Sequence, residues 1–183
     1  VRVTNLTGHK LPTGYPEGRR MWLEVEVVDA SGRAAPGGSG LLDASGHLVR
    51  DAQVHTWESA LGERQADGSV MPSFHFVAND TVMEDTRIPP AGFVPPADRD
   101  MIPVGRDYSD GSGGYNDFDE ASFDLPVCGT GELSLRVRLR YQSTTAEYIE
   151  FLRDASPPSL DPALTGRSWG DVAYDLWERH GGD

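Results

Sequence analysis

Of the groups in this sequence that could do chemistry, the imidazole of His9 stands in the most constrained setting. It lies in Asn5-Leu6-Thr7-Gly8-His9-Lys10-Leu11-Pro12-Thr13-Gly14-Tyr15-Pro16, and Gly18-Arg19-Arg20 leads on into a strand-patterned run. Imidazole is the usual distal ligand of low-spin haem, and such a ligand must be held at one angle. Gly8, Pro12, Gly14 and Pro16 give a stiff loop of that kind. The iron would have to come from a partner or an upstream segment, because no Cys-x-x-Cys-His motif occurs anywhere in the chain. The alternative is a loop histidine that bonds backbone groups and fixes its own turn.

A second cluster of chemistry-bearing residues is acidic. The loop from Asp107 to Glu120 is rich in hard oxygen donors, and Asp107, Asp110, Asn116 and Asp117 are its candidate calcium ligands. Their spacing is not that of an EF-hand, and a solvated loop closed by Asx-turns is the competing reading. His47, His55, His75 and His180 show no His-x-His or His-x-x-x-His spacing, so a zinc or copper site built from them has no support in the pattern. Cys128 is the only cysteine, which rules out an internal disulfide and is read as a small buried hydrophobe. Ser39, in Gly37-Gly38-Ser39-Gly40, is not the strand–Ser–helix elbow of hydrolases. There is no Walker loop or dinucleotide fingerprint, and the chain is expected to be no enzyme.

The elements that must position these groups are mostly strands. Met21, Leu23, Val25 and Val27 alternate with Glu24 and Glu26, which predicts a half-buried strand over 21–29. The strongest alternation runs from Glu132 to Gln142. There Leu133, Leu135, Val137, Leu139 and Tyr141 should face the core, and Arg136, Arg138 and Arg140 should form an outer cationic row able to meet Glu24 and Glu26. Val49 to Trp57 and Ser73 to Val82 are further strand candidates. Thr144 and Glu147 predict a capping box for one helix, and Ser168 and Asp171 for a second that ends near His180-Gly181. The expected fold is mainly β: an antiparallel, Ig-like β-sandwich over 1–142, carrying one or two C-terminal helices over 143–183.

The loop from Arg87 to Gly114 is long, Pro-rich and apolar at Ile88, Phe93, Met101 and Ile102. Together with His9, Pro12 and Tyr15 these residues make the expected partner surface. A net charge of -13 argues against nucleic acid as that partner. No apolar run approaches the roughly 18 residues that span a membrane. Lys10 is the only lysine, which we read as composition and not as mechanism. Val1 already lies in the strand-like run Val1-Arg2-Val3-Thr4, so the natural N-terminus is expected upstream, with room for a signal peptide, a lipid anchor or a haem-bearing segment.

Four blocks in series resemble the non-haem C-terminal domains of bacterial extracytoplasmic multihaem c-type cytochromes. They are the His9 loop, Phe74-His75-Phe76-Val77-Ala78-Asn79-Asp80 leading to Asp85-Thr86-Arg87-Ile88-Pro89-Pro90-Ala91-Gly92-Phe93, Arg140 to Asp154, and Tyr174-Asp175-Leu176-Trp177. The second block departs from the family pattern at Thr86, where Asn is usual, and at Ala91, where Arg is usual. The resemblance implies a non-catalytic periplasmic or extracellular domain in a respiratory or photosynthetic electron-transfer assembly. It would dock on a c-type cytochrome or on the membrane complex that carries one, as a separate subunit or as part of a larger cytochrome. No covalently bound cofactor is expected, and calcium is the candidate ion. A stand-alone carbohydrate- or calcium-binding sandwich and an unrecognised metal-dependent enzyme are the competing readings.

Overall fold

The computed structural model describes residues 1–95, 101–125 and 131–180. Cys128 lies outside the described residues. The elements in chain order are β1 (Arg2–Thr4), β2 (Arg20–Asp29), β3 (Ala34–Ser39), β4 (Thr56–Arg64), β5 (Val70–Pro72), β6 (Thr81–Asp85), β7 (Phe118–Glu120), β8 (Leu133–Gln142), α1 (Ala146–Ala155) and α2 (Trp169–Arg179). A 3-10 turn at Pro162–Leu164 separates the two helices. The chain is therefore mainly β, with antiparallel sheets and two C-terminal helices, as the alternation pattern predicts.

The two sheets differ greatly in size. The larger orders its strands β3-β2-β4-β5, with β6 also on β4 and β8 also on β2, and the smaller is the ribbon β1-β7. Val3, Met21, Leu23, Trp57, Ile88, Tyr108 and Ala121 form the core between them. Trp57 is wholly buried at its centre, where an aromatic of that size dominates packing.

β2 and β8 pair along their whole length, Met21 opposite Tyr141, Leu23 opposite Leu139, Val25 opposite Val137 and Val27 opposite Leu135. Directly opposed residues point to the same side of a sheet. The apolar row of β8 thus lies on the core side, as its period requires. Its burial is a different matter. Val25 is 0% exposed but Val137 is 37% and Leu135 56% exposed. The expectation that this row is buried is wrong, because β8 pairs only with β2 among the described strands and lies at the edge of the sheet, whereas β2 lies inside it. On the other side, Arg138 pairs with Glu24 and Glu26, Arg140 with Glu24 and Arg136 with Glu26, the ladder the alternation predicts.

Three further expectations need correction. The strand expected from Val49 begins only at Thr56; Asp51 instead accepts from the Gln53 and Gly40 amides and folds 49–55 as loop. The strand expected over 73–82 is broken by a turn, in which the Ala78 and Asn79 amides both donate to the His75 carbonyl. The first helix is capped by Thr145 and not by Thr144. The second helix matches its signal, with Ser168 and Asp171 closing a reciprocal capping box. The Thr145 amide donates to the Gly18 carbonyl and ties α1 to the segment leading into β2, and Trp177 donates to the Thr144 carbonyl and ties α2 to the turn between β8 and α1.

Candidate functional site

The His9 loop is held from within. Asn5 is buried, and its Nδ2 donates both to the His9 carbonyl at 2.7 Å and to the Ile88 carbonyl at 2.9 Å. Leu11 and Ile88 exchange both backbone hydrogen bonds at 2.9 Å. One short asparagine side chain thus fastens the start of the chain to the segment after β6. The His9 side chain is exposed, and its ring makes no hydrogen bond among the described residues.

The two fastened segments surround a groove of about 490 Å³, lined by Gly8, His9, Lys10, Asp85, Phe93 and Met101 among others. Its floor is charged. Lys10 Nζ reaches Asp85 Oδ2 at 2.7 Å, and Arg87 grips both oxygens of the same carboxylate at 2.7 and 2.8 Å. Burial would raise the Asp85 carboxyl, but Arg87 first and then Lys10 hold it below the usual carboxylate range. Burial pulls the Lys10 ammonium down from its ordinary value, and Asp85 only partly offsets this. Lys10 also stands 5.8 Å from the centre of the Phe93 ring.

The expected partner residues fall into two sets. His9, Phe93 and Met101 line the groove. Ile88 is removed from the surface altogether, because it is wholly buried in the core. Pro12 is also buried, and Ile102 is half-buried. Tyr15 packs on Phe76 instead, with ring centres 5.7 Å apart. Partial desolvation and the nearby Glu17 and Tyr148 push its phenol up to about 12.

The calcium candidates are occupied with their own loop. Asp107 accepts from the Ser109 amide, and Asp110 accepts from Ser112 and from the Gly114 amide, which closes two Asx-turns. Asn116 donates to the Tyr108 carbonyl, and the Asp117 carbonyl accepts from the Asn5 amide. Among the described residues no three His, Cys, Asp or Glu side chains stand together as a metal site.

Beside the groove lies a saturated polar cluster. Asp119 Oδ2 accepts from His55 at 2.9 Å, Trp57 at 2.8 Å and Arg106 at 2.6 Å. Tyr108 donates to the Thr86 carbonyl at 2.6 Å. Burial alone would raise the Asp119 carboxyl, yet His55, Arg106 and Trp57 hold it far below its ordinary value. Tyr108 is pushed up by burial and by the Asp119 charge. These contacts pin the stretch from Arg106 to Asp119 onto β4.

A larger cavity, of about 500 Å³, opens between β4, the turn after β5 and the start of α1. Buried Arg20 stands in its wall, bonded to Gln142 at 3.0 Å and facing Glu147 at 3.5 Å and Glu58 at 3.9 Å. Sequence reasoning missed this site, along with Asn5, Asp85 and Arg87. His9, Phe93 and Met101 were the legible part of the groove, whereas nothing in the sequence marked its charged floor beyond Lys10 being the only lysine of the chain. No family model matches the sequence, and neither a curated protein nor a solved structure matches the chain.

Proposed function

We propose that this chain is a non-catalytic part of a bacterial extracytoplasmic electron-transfer assembly, respiratory or photosynthetic. It docks on a c-type cytochrome, or on the membrane complex that carries one, and presents His9 at the docking face. One observation supports this reading above the others: the His9 loop and the segment after β6 meet around a single groove. The groove has the make-up of a docking surface. Phe93 and Met101 supply apolar, polarizable contact, and both residue types are enriched in interfaces. The Lys10–Asp85–Arg87 floor is preformed, so docking costs little ordering. The His9 ring has no competing hydrogen-bond partner among the described residues, and its backbone is fixed by Asn5, so it can reach an iron that another chain holds.

The test uses a ferric c-type haem peptide with one axial position open. Adding the chain converts the haem from high spin to low spin, read as a Soret shift. His9→Ala abolishes the shift, whereas His180→Ala, at the end of α2, leaves it unchanged. No shift with the unaltered chain, or an equal shift with His9→Ala, defeats the ligand role of His9. A purified multihaem cytochrome in place of the peptide then reads docking alone, by cross-linking of the Phe93–Met101 rim.

A further inference from the structure

The larger cavity is lined by a deeply buried carboxylate with no cationic partner among the described residues. Glu17 is 3% exposed, and neither of its oxygens has a well-aligned hydrogen bond from a described residue; the Tyr15 phenol is nearby, and no cation pairs with Glu17 among those residues. Leaving such a group bare inside a protein costs several kcal/mol unless something pairs it. Glu17 lines the cavity together with Glu58, Glu84 and Glu147.

The cations in the wall are already committed. Arg50 lies 2.7 Å from Glu58, and Arg20 serves Gln142, Glu147 and Glu58. Arg19 turns away to the Thr13 carbonyl at 3.0 Å. Glu17 and Glu84 make no ion pair among the described residues. Burial, with the charge of Glu58 behind it, raises the Glu84 carboxyl. Leaving Glu58 aside because it touches Arg50, the unpaired buried atoms are three acceptors, both oxygens of Glu17 and one of Glu147, against one donor, Arg20 Nε. The lining sets Glu17, Glu58, Glu84 and Glu147 against Arg19, Arg20 and Arg50, so the site is short of donors and carries a small excess of negative charge.

We propose that this cavity binds a small organic cation with amines at both ends of a methylene chain, an aliphatic di- or polyamine. A single metal ion fits poorly, since the carboxylates are spread around the wall and no three stand together among the described residues. A chain with separated ammonium groups fits that spread. Its methylenes find Leu61, Pro72, Phe74 and Phe151, the apolar part of the wall. Phe74 and Phe151 pack on each other with ring centres 5.5 Å apart, which keeps that part of the wall apolar. The volume is within the usual range for small-molecule sites. Binding here leaves the His9 groove untouched, so the two readings stand or fall separately.

Titration calorimetry of the whole chain with putrescine and with spermidine tests the proposal, with butanediol and glucose as neutral controls. Saturable binding of the amines and none of the controls is expected. Glu17→Gln weakens it about tenfold or more, a loss in the range of one charge-assisted contact. Glu120→Gln, which alters an exposed pair with Arg2, weakens it less than about twofold. Circular dichroism confirms that each variant is folded. Should Glu17→Gln fail to fold, Glu84→Gln is read in its place with the same expected loss. Absence of amine binding, equal weakening by Glu17→Gln and Glu120→Gln, or tighter binding of glucose than of putrescine overturns the proposal. The last outcome would hand the cavity to a neutral polyol.

Discussion

Asp119 and Glu17 are both carboxylates drawn into the protein, and they have opposite surroundings. Asp119 accepts from His55, Trp57 and Arg106, and its charge is matched on the spot. Glu17 is more deeply buried and has no cationic partner among the described residues. A matched cluster of this kind holds the Arg106–Asp119 stretch against β4. A buried carboxylate without a cation is costly to the fold unless something pairs it. The same contrast runs through the apolar residues. Val25 and Val137 are paired across two strands and face the same side, but only Val25 is covered.

The apolar half of the comparison gives the largest expected effect. Val25→Asp puts a bare charge into the core and abolishes folding, read as loss of the cooperative thermal transition. Val137→Asp still folds and costs about 1 kcal/mol, since much of that side chain already meets water. If Val137→Asp also failed to fold, β8 would be covered in solution by something beyond the described residues.

Next in size is the charged half. Asp119→Asn loses about 2–3 kcal/mol in urea unfolding, because Arg106 and His55 are left facing a neutral amide. Glu17→Gln stays within about 1 kcal/mol of the unaltered chain or gains stability, since it removes an unpaired charge. Equal losses for the two would mean that Glu17 has a partner after all.

A pH titration of stability sharpens the same point. The Asp119 carboxyl is held below its unfolded value of about 3.9, so its contribution is fully present above that pH. It is lost as pH falls from there through the lower folded value. Asp119→Asn therefore flattens the acid limb of the stability curve, and an unchanged limb would exclude Asp119 as its source.

The smallest effect is expected on the β2–β8 ladder. Arg138→Gln leaves the urea midpoint within error at high salt, because its half-exposed pairs are screened and Arg140 still holds buried Glu24. A clear drop there would show that the ladder, and not only the backbone pairing, holds β8 in place.

How much of this was legible in the chain depends on the range of each interaction. The Ser168–Asp171 cap forms among neighbours three residues apart, so local chemistry announced it. The Arg136–Arg140 row follows from a period of two, and finding Glu24 and Glu26 opposite it needed only a second strand of the same period. The groove was half legible. Its His9, Phe93 and Met101 stood out as residue types, but Ile88 looked like contact surface and proved to be core. Asn5, which fastens one side of the groove to the other across 83 positions, looked like any loop asparagine.

Glu147 shows where local reading ends. Its spacing suited a helix cap, yet its carboxylate turns to buried Arg20, 127 positions away, because a guanidinium taken out of water must find acceptors. Periodicity along the chain determined which faces are apolar and which strand carries the arginines. Only the tertiary structure decided which of those faces is covered, which carboxylate is left without a cation, and which loops share a groove. Alternation is a property of one strand, whereas cover and saturation depend on what the rest of the chain brings to the other side.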